Sequence, residues 1–174
     1  SSTLNSLKLL SRSFSVSYRA YLGRQPHSFT DHQVRNKMNK MDRLIEQLKR
    51  HEGVSAYVYT DINNLEHIGV GRNISKTGIG LTMEEIEYLL SNDILRCIKE
   101  ISSEYSWFGS LDEVRQEAII NIFFNLGATR FRGFKKAIAA MEVHDYKLAA
   151  TEFLDSRWAK QVKGRSLELT DIIR

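Results

Sequence analysis

The sequence predicts an α+β fold that is mainly α: a small β-hairpin lobe joined by a long helix to an all-helical lobe, with an active-site cleft between them. Three observations predict it. Apolar residues recur at helical spacing up to residue 48 and again after residue 81. Between them, YVY and LEHIGVG flank DINN, two β-rich runs around turn chemistry. At 174 residues and 42% hydrophobic content, the chain can bury the core of one ordinary domain, divisible into two lobes.

Residues 1–32 read as a basic amphipathic N-terminal extension. It is rich in Ser and Arg and has no acid before Asp31, and Leu4, Leu7, Leu10, Phe14, Tyr18 and Tyr21 share one helical face. Three readings stand for it: a helix packed on its own domain or on a partner assembly, a membrane-surface segment, or the remnant of an organellar transit peptide. Gly23 and Pro26 mark a linker. The folded domain then spans residues 33–174.

Val34, Met38, Met41, Leu44, Ile45 and Leu48 predict a helix over about 33–51. The pattern stops at HEG, so Glu52 sits at the helix end with Gly53 as a left-handed terminator. The hairpin lobe covers about 53–81. Asp61 opens its turn and His67 lies on the returning strand, where Gly69 and Gly71 suit close approach by another group.

The linking helix, about 82–101, opens on a capping box of Thr82 with Glu85, and the helical lobe follows over 102–174. Ser110 with Glu113 predicts a second capping box, opening a helix that Gly127 closes. That helix is apolar almost all round from Ala118 to Leu126, which predicts the central core helix. Shorter helices are expected in GFKKAIAAMEV, DYKLAATEFLDS and SRWAKQ, and near 165–173.

Charge is unevenly placed. Residues 1–40 hold seven bases and one acid, whereas residues 41–174 hold 18 bases and 20 acids. The main domain is therefore not expected to bind nucleic acid. No apolar run approaches the roughly 18 to 20 residues needed to cross a bilayer. The lone Cys97 excludes an intramolecular disulfide and reads as a buried small hydrophobe. The five histidines lack metal-ligand spacing, and Gly69 and Gly71 lack the third glycine of a dinucleotide loop, so neither a metal nor a cofactor is expected. Lys135 and Lys136 read as a solvated helix face.

Glu52 and Asp61, nine residues apart, carry the chemistry. Cleavage of a glycosidic bond needs one protonated carboxyl for the leaving oxygen and a second group to stabilise positive charge or activate water. Glu52, at a helix end near apolar packing, suits the acid, and Asp61, in an exposed turn, suits the ionised partner. Spacing alone would equally describe two solvated surface acids.

The segment E-G-x5-Y-x-D-x6-I-G-x-G, here Glu52, Gly53, Tyr59, Asp61, Ile68, Gly69 and Gly71, resembles the active-site signature of phage-type lysozymes, the T-even bacteriophage lysozyme family. SLDEVRQEAIINIFFNLG resembles that family's central helix and DSRWAKQVKGR its Ser-Arg-Trp segment, so the resemblance spans about residues 41–174. It implies a muramidase acting on peptidoglycan, with Glu52 as general acid and Asp61 as second carboxylate. By the same resemblance Arg165 stands near the acid, Asn125 replaces a cleft glutamine, and Asp93 is the acid that pairs with the residue after G-x-G. Arg157 and Trp158 are expected to be structural.

Two positions depart from the family. Arg72 replaces a histidine, and a salt bridge to Asp93 would keep the tie. His67 replaces the threonine that helps Asp61 hold the attacking water. The imidazole has three readings: a base for that water, a nucleophile giving net retention, or bulk that displaces the water. Two functions follow from the resemblance. One is a lysis enzyme or virion component acting on the bacterial cell wall in the periplasm. The other is a weak or inactive lysozyme-derived subunit docked through residues 1–32 in a phage particle or an organellar, mitochondrial complex.

Overall fold

The computed structural model describes residues 30–174, so most of the N-terminal extension lies outside the described residues. Two compact units divide at Leu81 and Thr82. The fold is mainly helical with one small antiparallel sheet, the α+β class expected.

The first unit begins with α1 (Asp31–Glu52). Thr30 caps it by a capping box, its hydroxyl accepting from the Gln33 amide while the Gln33 side chain accepts from the Thr30 amide. Lys49, Arg50 and His51 fill the last turn, where cations complement the negative helix end. Gly53 stops the helix at φ 76°, its N–H donating to the Lys49 carbonyl. The chain then runs through β1 (Ser55–Thr60), β2 (Glu66–Gly69) and β3 (Arg72–Asn73), in the order β1-β2-β3.

Two features differ from expectation here. A third short strand joins the hairpin, with His67 opposite Asn73 and Ile68 opposite Arg72. Gly69 and Gly71 both have positive φ, 69° and 77°, and a Cβ built at either meets nothing within 4 Å. The left-handed backbone of the tight β2–β3 turn itself calls for glycine at these positions.

The second unit opens on α2 (Met83–Glu104), with the expected Thr82–Glu85 capping box in place. It runs three residues beyond the expected end. A 3₁₀ turn (Ser106–Ser110) leads into α3 (Glu113–Phe131), which breaks at Gly127, φ 73°. The cap of α3 is Asp112, accepting from the Arg115 amide, and not Ser110. The Ser110 hydroxyl donates instead to the Trp107 carbonyl inside the 3₁₀ turn. Asp112 wins because it stands immediately before the first helical residue.

Four short helices complete the unit: α4 (Lys135–Glu142), α5 (Tyr146–Leu154), α6 (Arg157–Val162) and α7 (Gly164–Ile173). Asp145 caps α5 and Ser156 caps α6. As the apolar run predicts, Ala118, Ile119, Ile122 and Phe123 of α3 are buried, and Phe131 and Phe153 pack beside them. Burying each such side chain contributes about 1.5–3 kcal/mol, so this aromatic cluster dominates the unit's stability. Cys97 is buried in the same core, and burial pushes its thiol pKa up. Glu104 accepts two bonds from Arg132, 2.7 and 2.9 Å, tying the end of α2 to the end of α3.

Candidate active site

The hairpin turn builds the best-defined part of the site. Asp61 Oδ1 accepts from the Asn63 and Leu65 amides, both at 2.9 Å, in an Asx-type turn. Asn64 completes that turn at φ 61°, a conformation asparagine tolerates. The Leu65 amide is the main reason the Asp61 carboxyl sits below the ordinary carboxylate range, with the Asn63 amide and His67 adding to it and desolvation opposing. Asp61 is thus held ionised as expected, by backbone donors as much as by solvent, its side chain 28% exposed.

Asp61 Oδ2 faces His67 Nε2 at 3.2 Å. The other ring nitrogen, His67 Nδ1, lies 3.2 Å from the Gly71 carbonyl. Both contacts are oxygen acceptors, so a neutral imidazole donates to only one of them, and each ring nitrogen has a polar neighbour. Tyr59, opposite His67 across β1 and β2, stacks on the ring with centroids 5.7 Å apart and planes at 23°. The ring is held on three sides and its side chain is 17% exposed.

Glu52 occupies the last residue of α1 and is exposed. Within its own unit its carboxyl makes no hydrogen bond or ion pair. Arg72 donates to the Gly80 carbonyl at 3.0 Å, tying β3 to the end of its own unit.

The remaining candidates belong to the helical unit. Asp93 pairs with Arg96, one turn along α2, at 3.0 Å. Asn125 Oδ1 accepts from the indole N–H of Trp158 at 2.8 Å, which leaves its NH₂ as the available donor. Trp158 is 5% exposed, in keeping with the structural role expected for it. Arg165, in the first turn of α7, lines a cavity of about 420 Å³ with Leu90, Ile94, Glu117, Ile120 and Phe124.

Sequence reasoning gave no role to the Tyr59 ring, the Gly71 carbonyl or the Trp158–Asn125 bond. Cross-strand pairing of Tyr59 with His67 was accessible from the hairpin register. The other two depend on backbone conformation and packing.

The family model for phage lysozyme matches residues 49–171, a range that contains every candidate residue above. The chain belongs to the phage lysozyme family. It is 28% identical over 156 residues to the pre-baseplate central spike protein Gp5 of Enterobacteria phage T4, a match covering 75% of this chain and 27% of that protein. It is 26% identical over 155 residues to probable T4-type lysozyme 1 of Dictyostelium discoideum, covering 74% of this chain and 91% of that one. Probable T4-type lysozyme 2 of the same organism is 27% identical over 150 residues, covering 71% and 88%. This phage lysozyme chain therefore aligns with about a quarter of the spike protein's length and with most of each Dictyostelium protein.

Proposed function

We propose that the chain is a muramidase that hydrolyses the β-1,4 bond between N-acetylmuramic acid and N-acetylglucosamine in peptidoglycan. The observation that carries this reading is the Asp61 carboxylate, fixed at both oxygens within a segment that resembles the family's active-site signature, while the Glu52 carboxyl is left unengaged. Glu52 gives its proton to the leaving oxygen as the glycosidic bond breaks. A water held at Asp61 adds to the anomeric carbon and passes its proton to that carboxylate. His67 does the work of a hydroxyl here, steadying Asp61 Oδ2. Both its nitrogens face acceptors, which disfavours the nucleophile reading. Asn125 and Arg165 serve as substrate-supporting groups of the helical unit.

Release of reducing ends from purified peptidoglycan tests the assignment. Glu52→Gln is expected to lose at least about 100-fold in rate, the scale of general acid catalysis. A wild-type protein without activity, at concentrations where a known lysozyme clears the substrate, overturns it.

A second reading is favoured by one specific observation, the similarity to a protein named as a phage spike component. In that reading the chain is a weak or inactive lysozyme-derived subunit, docked in a larger assembly through the basic extension over residues 1–32. Inactivity together with co-purification in a particle of defined stoichiometry would select it.

A further inference from the structure

The imidazole of His67 differs from a hydroxyl in one physical respect. A hydroxyl turns its hydrogen to suit an acceptor, whereas a planar ring presents each nitrogen along one fixed direction. The contact with Asp61 therefore depends on how the ring is turned about its Cβ–Cγ bond, a torsion with a broad preference and no sharp staggered well. The torsion alone does not hold the ring, so its neighbours must.

Two neighbours divide that task. The Gly71 carbonyl, 3.2 Å from Nδ1, distinguishes one way round from the other, because turning the ring over would put carbons where Nδ1 meets Gly71 and Nε2 meets Asp61. The Tyr59 ring fixes the plane. It stands opposite His67 in the β1–β2 register, and the two rings stack with centroids 5.7 Å apart and planes at 23°. Favourable aromatic pairs have centroids about 4.5–7 Å apart. Tyr59 does little else within its unit. It is 38% exposed, so its ring is only partly withdrawn from water, and its hydroxyl makes no hydrogen bond there.

We infer that Tyr59 is a positioning residue of the site: its ring holds the His67 imidazole in the plane at which Nε2 meets Asp61 Oδ2, and so steadies the carboxylate. Tyr59 acts through His67 and needs no contact with the reacting atoms. The ring is the working part and the hydroxyl is dispensable. The positioning stands on the geometry of the hairpin, and its consequence for hydrolysis rests on the muramidase reading.

The test is a double-mutant cycle on the full chain, with Tyr59→Val, His67→Thr and the two together, read by NMR titration of the Asp61 carboxyl and by the rate of reducing-end release from peptidoglycan. His67 is one of the groups that hold Asp61 below the ordinary carboxylate range. Tyr59→Val should therefore raise the Asp61 midpoint in the chain that keeps His67 and leave it unmoved in the His67→Thr background. Tyr59→Phe, which keeps the ring, should titrate as the wild type does. On peptidoglycan, Tyr59→Val should lower kcat about two- to tenfold at unchanged KM, the scale of one aromatic pair, and should cost nothing further once His67 is threonine. Valine suits a strand, and Tyr59→Leu is a second variant should the hairpin be lost. An Asp61 midpoint that Tyr59→Val leaves in place, or moves equally with and without His67, overturns the inference. So does a Tyr59→Phe chain that behaves as Tyr59→Val does, since the hydroxyl would then be the working group. The expected titrations in a wild type that cleaves no peptidoglycan would keep the positioning role and remove the muramidase reading. Cleavage by a wild type whose Asp61 midpoint ignores Tyr59 would do the reverse.

Discussion

The indole N–H of Trp158 donates to Asn125 Oδ1 at 2.8 Å, across 33 residues of sequence, and so locks α6 to the C-terminal part of α3. The Asn125 oxygen thereby satisfies a buried donor, and under the proposed function its NH₂ donates to substrate. Asn125→Leu should strand the indole N–H and cost about 1–3 kcal/mol, read as a lower denaturation midpoint at unchanged slope. Full stability in that variant would mean that the indole finds another partner.

The hydrogen-bond pattern at His67 bears on stereochemistry. With Nδ1 against Gly71 and Nε2 against Asp61, water is expected to attack directly, so the first product seen by NMR should be the α anomer in both wild type and His67→Thr. A β product from wild type that turns to α in His67→Thr would make the imidazole a nucleophile after all.

Acid should weaken the hairpin turn through Asp61. Its folded pKa lies below that of the unfolded chain, so the contribution is fully present above the ordinary carboxylate pKa, about 3.9, and is lost as pH falls through the lower folded value. Asp61→Asn should therefore be less stable than wild type at neutral pH, and the difference should shrink below about pH 4. A gap between the two unfolding midpoints that stays constant from pH 7 to pH 3 contradicts this.

Gly71 combines φ 77° with open space for a side chain. Gly71→Ala should cost about 1–2 kcal/mol through backbone conformation alone, with no steric clash. It should also shift the carbonyl that His67 faces, so the histidine ring resonances should move in the same variant. Unchanged stability would show that the β2–β3 turn relaxes out of the left-handed region.

In the core, Phe153→Ala should cost about 3–5 kcal/mol, since Phe153 is fully buried against Phe131 and Phe134. Equilibrium unfolding monitored by tryptophan fluorescence reads it directly.

Much of this was legible in the sequence where the governing physics is local. Thr82 and Glu85 signalled the start of α2 because a capping box closes within four residues. Gly53 ended α1 with a positive φ of 76° that glycine adopts at small cost, although its ψ of 172° lies outside the left-handed helical well expected of it. The run from Ala118 to Leu126 signalled the burial of Ala118, Ile119, Ile122 and Phe123, while Phe124 within it is exposed, since a helix still turns one face outward. At the start of α3 the capping box read for Ser110 and Glu113 was wrong, because the 3₁₀ turn claims the serine hydroxyl and Asp112 caps the helix.

Tertiary structure decided what the site residues touch. The sequence placed Asp61 in a turn and His67 on the next strand, but only the folded hairpin set both imidazole nitrogens against acceptors. It likewise gave Asn125 to Trp158. The physical reason is one of range. Caps, stops and apolar periodicity depend on neighbours a few residues away, whereas a hydrogen-bond partner depends on side-chain direction, and packing sets that direction once distant segments have met.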